Sequence, residues 1–94
     1  MLNVKFTSRF KKDYKAVKKR PYFDKEEFEY VLGELIAQRP LAPKYRDHEL
    51  TGRQAGIKNC RECHITPDWL LVYKVDKEQL ILYLIETGNH SDLF

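Results

Sequence analysis

Ninety-four residues, 43% of them hydrophobic, suffice for one compact core and exclude a two-domain arrangement, so residues 1–94 are expected to form a single domain. The net charge of +3 hides a division: residues 1–25 carry nine Lys or Arg against Asp13 and Asp24, a balance of +7, whereas residues 26–94 carry eight against twelve, a balance of −4. No apolar stretch is long enough to span a bilayer and the N-terminus lacks the apolar core of an export signal, so a soluble cytoplasmic chain is expected, with Cys60 and Cys63 as free thiols.

Leu2, Val4 and Phe6 alternate with polar residues, the pattern of a short strand with one buried face. Thr7 or Ser8 then caps a helix over 8–20. Phe10, Tyr14 and Val17 fall at helical spacing in it, and Lys11, Lys12, Lys15, Lys18, Lys19 and Arg20 cover much of the remaining surface. Such a basic segment attracts phosphates and equally suits an acidic protein partner, although a lysine-rich face by itself is commonly just solvated. Pro21 ends the helix. Asp24 with Glu27 has the form of a capping box, and Phe28, Val31, Leu32, Leu35 and Ile36 make the stripe of a second helix, closed by Pro40 and Pro43.

After Pro43 the periodicity becomes strand-like. A short segment runs through His48 to Leu50, Thr51 and Gly52 turn, and strands are expected over 57–65, 69–75 and 79–86, with 88–94 as a short tail. The implied fold is α+β: an N-terminal strand and an antiparallel helical hairpin packed on one face of a small, curled, mainly antiparallel sheet, whose other face is open to a ligand.

Cys60, Cys63 and His64 form a C-x-x-C-H pattern, which in an exported protein marks haem attachment. Without an export signal, and on a strand, that chemistry does not apply. Zinc is also disfavoured, because residues three apart on a strand point to opposite faces and no second ligand pair has suitable spacing, so no metal or cofactor is expected. The same parity places Lys58, Cys60, Glu62 and His64 on one face and Ile57, Cys63 and Ile65 on the other. Glu62 beside His64 would orient its imidazole.

His48, His64 and His90 suit metal-free RNA cleavage if the sheet brings them together. A base removes the 2′-OH proton, the oxygen attacks the adjacent phosphate, and an acid protonates the leaving 5′ oxygen. Cations must stabilise the added phosphorane charge. Trp69 and Phe94 flank this set, and aromatic rings commonly stack on RNA bases, although Trp69 also alternates with Leu71 and Tyr73 as a core residue would.

Three segments carry a resemblance: Asp47-His48-Glu49-Leu50, then Arg61-Glu62-Cys63-His64-Ile65-Thr66-Pro67-Asp68-Trp69-Leu70-Leu71-Val72-Tyr73, and Thr87-Gly88-Asn89-His90-Ser91-Asp92-Leu93-Phe94. Together they resemble the signatures of YafQ-type toxins in the RelE/ParE superfamily over nearly the whole chain. The resemblance implies a RelE-like microbial RNase fold and a bacterial type II toxin that cleaves mRNA in the ribosomal A site without a metal. It implies neutralisation by a small acidic antitoxin of the RelB/DinJ kind, and contact with operator DNA only through the antitoxin complex. His48, His64, Asp68 and His90 then correspond to the catalytic histidines and aspartate, Glu62 to an acidic neighbour and Phe94 to an active-site aromatic. His90 would be the acid and His48 or Asp68 the base, with His64 orienting substrate or stabilising charge.

One position departs from the family. An arginine usually precedes the glycine segment, and here Glu86 stands in its place. Arg46, Arg53, Lys58 and Arg61 are the cations that would replace it. By simple alternation Glu86 shares the inward face of Leu80, Leu82 and Leu84 unless the strand ends or bulges. Two other readings stay open: a binding module on the same scaffold, acting on a protein target or within a repressor complex, and a catalytically attenuated toxin.

Overall fold

Thr7 turns the first strand into the first helix: its Oγ1 accepts from Phe10 N–H at 3.1 Å and donates to the Leu84 carbonyl at 2.8 Å. The computed structural model, which describes residues 1–50 and 60–93, runs from β1 (Asn3–Phe6) through Thr7 into α1 (Ser8–Val17). The helix stops three residues short of Arg20. Lys19 and Arg20 donate to the carbonyls of Ala16 and Val17, tightening the chain into turns before Pro21.

Asp24 caps α2 (Lys25–Ile36) by accepting from Glu27 N–H at 3.1 Å. The reciprocal half of the box is absent, because the Glu27 carboxylate accepts instead from the Tyr45 hydroxyl. Tyr45 belongs to a 3-10 turn (Pro43–Tyr45), and Arg46, at φ 48°, swings the chain into β2 (His48–Glu49).

The remaining strands are β3 (Cys60–Thr66), β4 (Trp69–Asp76) and β5 (Ile81–Gly88). The sheet order is β1-β5-β4-β3-β2, antiparallel throughout except for the parallel β1–β5 pair. β5 begins two residues later than its alternation predicts: Asp76 Oδ1 accepts from Glu78 and Gln79 N–H and lengthens the turn, leaving Leu80 exposed at φ 57°. Ile57, Lys58, Arg53 and the expected turn at Thr51 and Gly52 lie outside the described residues, as does Phe94.

Both helices pack on one sheet face. Phe10, Val17, Phe28, Val31 and Leu35 meet Cys63, Ile65, Trp69, Leu71, Tyr73, Leu82 and Leu84 in the main core. The opposite face is less open than expected. Cys60, Leu70 and Val72 are covered there by Leu93, from a one-turn helix α3 (His90–Leu93) in the segment that reads as a tail, with Leu50 and Ile85 alongside.

A bulge in β5 decides where Glu86 points. Tyr73 pairs with Leu84 and Val72 with Glu86, so the ladder skips Ile85 and alternation slips by one. Glu86 therefore leaves the face of Leu82 and Leu84 and joins that of Val72. Its carboxylate is buried there with Arg9 Nη2 at 3.7 Å.

Candidate active site

Two turns at the same end of the sheet build the site. In the first, Gly88 ends β5 at φ 155°, and a Cβ at that position would lie 3.0 Å from Asp92 Cβ and Oδ2. Asn89 and Asp92 then lock α3 reciprocally: Asn89 N–H donates to Asp92 Oδ2 at 3.0 Å and Asp92 N–H to Asn89 Oδ1 at 2.8 Å. His90, the first residue of α3, is thereby held exposed at the rim. Thr87 anchors the segment from behind, with its N–H on Asp13 Oδ2 at 3.2 Å and its hydroxyl bridging Trp69 Nε1 and the Leu70 carbonyl.

In the second turn, Pro67 and Asp68 join β3 to β4, and Asp68 projects exposed. His64 pairs across the ladder with Leu70, whose side chain belongs to the α3 face, and its Nδ1 lies 3.4 Å from the Pro67 carbonyl. A cleft of about 700 Å³ brings these turns together, lined among others by His64, Asp68 and His90 and by Arg20, Tyr22 and Asn89.

His48 does not line that cleft. It faces Glu62 across the β2–β3 ladder, with Nε2 3.4 Å from Glu62 Oε1, while Nδ1–H donates to the Arg46 carbonyl at 2.7 Å. With Nδ1 engaged by the carbonyl, Nε2 is the ring nitrogen that faces Glu62. Glu62, expected beside His64, is buried and turns to His48 instead, and its Oε2 makes no hydrogen bond among the described residues. The face assignment of Cys60, Glu62 and His64 against Cys63 and Ile65 agrees with the two packing clusters.

One expected RNA contact, Trp69, is corrected, and another, Arg61, does not line the cleft. Trp69 is wholly buried, stacked against Phe28 at 5.6 Å, and has no face to offer a base. Arg61 sits opposite Tyr73 on the helix-facing side, and its Nη2 lies 2.9 Å from Asp47 Oδ2, an aspartate that also accepts from the Tyr73 hydroxyl. The guanidinium is thus held in its charged form by that hydrogen bond and directed away from the cleft.

Arg46 is exposed in the turn before β2. Lys11, Lys12, Lys15, Lys18 and Lys19 are exposed along α1 and past its end. Tyr22 was not singled out from sequence, and its place beside Trp69, 6.2 Å between ring centroids, depends on how the α1–α2 link folds back. Among the described residues no three His, Cys, Asp or Glu side chains group as metal ligands, and no helix is long and apolar enough to cross a membrane.

Residues 2–94 match the family model for the bacterial toxin of the type II toxin–antitoxin system, YafQ. The mRNA interferase toxin YafQ of Escherichia coli BL21-DE3 is 34% identical over 93 residues, covering 98% of this chain and 95% of the relative. A metal-bound toxin from Helicobacter pylori superposes with a TM-score of 0.86 at 44% identity, with all of both chains covered. The toxin in the E. coli DinJ–YafQ complex gives 0.84 at 33% identity, covering 100% of this chain and 99% of that one. Sequence match and fold agree, and the chain belongs to the YafQ family of type II toxin–antitoxin toxins.

Proposed function

We propose that this chain is a ribosome-dependent endoribonuclease that cleaves mRNA in the A site by metal-free acid–base chemistry. The observation that carries the proposal is the convergence of His64, Asp68 and His90 on one cleft in a family whose E. coli member is named an mRNA interferase.

The base takes the 2′-OH proton, the 2′ oxygen attacks phosphorus, the P–O5′ bond breaks and the acid protonates the departing 5′ oxygen. A 2′,3′-cyclic phosphate and a 5′-hydroxyl remain. His90, exposed at the rim of the cleft, is the acid. Asp68 is the base rather than His48, because Asp68 lines the cleft with His90. His64 orients the substrate, and the His48–Glu62 pair supports the neighbouring face. Exposed lysines of α1 meet ribosomal RNA, with affinity that falls as salt rises. The partner that silences the toxin is a small acidic antitoxin, as DinJ accompanies YafQ in the E. coli complex. Operator DNA is met only through that complex, and the site of action is the cytoplasm.

Purified ribosomes programmed with mRNA test this. Cleavage in the A site should persist when the toxin has been stripped of metal with EDTA and returned to buffer holding only the Mg2+ that keeps the ribosome assembled, and stop when the nucleotide at the cleavage point lacks its 2′-OH. Cleavage by the stripped toxin that returns only when a further metal ion is added would overturn the metal-free chemistry, and no cleavage at all would overturn the nuclease reading. Glu86 favours one other reading, an attenuated toxin, for which wild-type cleavage would be very slow and growth arrest would depend on a binding target.

A further inference from the structure

The link between α1 and α2 contributes Arg20, Pro21 and Tyr22 to the lining of the cleft that holds His64 and His90. Among the described residues lining the cleft, Arg20 is the only Lys or Arg. Its Nη2 lies 3.3 Å from Asp92 Oδ1, and both side chains are partly exposed, so the pair fixes one edge of the guanidinium and leaves other N–H donors free to bind. Asp92 is itself fixed by its bond from Asn89 N–H. Tyr22, two residues on, lines the same cleft, and its hydroxyl is buried with no hydrogen-bond partner among the described residues. Burial raises the phenol pKa, so the group remains a donor at neutral pH. Glu86, meanwhile, offers no cation at the end of β5 and is met there by Arg9.

We propose that Arg20 and Tyr22 form the phosphate-binding wall of the cleft, the guanidinium taking non-bridging oxygens of the scissile phosphate and the Tyr22 hydroxyl donating to the same group. The planar fork of an arginine matches phosphate oxygens in pairs, and a buried hydroxyl lacking a partner is completed by an acceptor from the substrate. Charge stabilisation in this chain thus lies on the α1–α2 link and not at position 86. This inference rests on the nuclease reading above and adds the group that reading lacks.

The test is cleavage of ribosome-bound mRNA by the purified protein, with kcat and KM measured separately and with sulfur replacing a non-bridging oxygen at the scissile phosphate. Arg20→Ala should lower kcat by about 100-fold while KM moves little, and Tyr22→Phe by about tenfold. The rate penalty for sulfur seen with wild type should largely vanish in Arg20→Ala, because the contact that sulfur disturbs is gone. Lys12→Ala, on the basic face of α1, should raise KM instead.

Arg20→Lys, which keeps the charge beside Asp92, should fall between wild type and Arg20→Ala and carries the test if the alanine variant melts early. A kcat within about twofold of wild type in Arg20→Ala, or a lost kcat with the sulfur penalty intact, would overturn the inference and leave Arg20 as a support for α3. Failure of the wild type to cleave would instead bring down the nuclease reading and this inference with it.

Discussion

The indole N–H of Trp69 donates to Thr87 Oγ1 across 2.7 Å, and the same hydroxyl donates to the Leu70 carbonyl at 2.6 Å. Trp69 thereby ties the buried aromatic cluster of the helices to the residue that precedes Gly88 and α3. Trp69→Phe should keep most of the packing but lose the bond, costing on the order of 1–3 kcal/mol in urea unfolding. Cleavage should fall through loosening of β5 with no separate loss of RNA affinity. Unchanged stability together with weakened RNA binding would restore a stacking role for this ring.

Gly88 is the residue that lets β5 turn into α3. With φ at 155° and a prospective Cβ contact of 3.0 Å to Asp92, Gly88→Ala must shift Asp92 and with it the bonds to Asn89 and Arg20. Stability should drop by about 1–2 kcal/mol, and cleavage should fall by more than that loss explains, because His90 moves. Melting temperature and cleavage rate measured on the same preparation check it.

Glu86 is buried beside Arg9 on the α3 face of the bulged strand. Glu86→Arg sets two cations together and should destabilise the fold by on the order of 2 kcal/mol, with Glu86→Gln milder. Chemical denaturation measures this. A Glu86→Arg protein that is as stable as wild type and arrests growth more strongly would support the attenuated-toxin reading.

Alkaline pH should weaken the fold through its buried phenols. Burial, followed by their hydrogen bonds to Glu27 and Asp47, raises the pKa of Tyr45 and Tyr73 above the ordinary 10.0. The unfolded chain then releases protons that the folded chain retains, so stability is full below pH 10 and lost as pH climbs beyond it. Thermal melts from pH 8 to 11 should show the decline, and absorbance titration should show these two phenols ionising only with unfolding.

What sequence reveals here follows the range of the interactions. The α2 stripe, the Thr7 and Asp24 caps and the alternation of Cys60, Glu62 and His64 are local patterns, and each stands where its periodicity predicts. The Asn89–Asp92 bonds were also legible in principle, since an Asn followed three residues later by an acid marks a helix start. Other features were not. One skipped residue at Ile85 reverses the face of Glu86, the partner of Glu62 depends on the β2–β3 register, and Arg20 meets Asp92 across 72 positions of chain. Arg61 looked like a substrate cation because its spacing says nothing of Asp47 and Tyr73 waiting on the other face.

In the mechanism proposed above, His90, which lines the cleft with Asp68, donates the proton to the leaving 5′ oxygen. Single-turnover cleavage of ribosome-bound mRNA by wild type and His90→Ala measures this most directly. A loss of about 100-fold or more with ribosome binding unchanged is the predicted result; equal rates for the two proteins would contradict it.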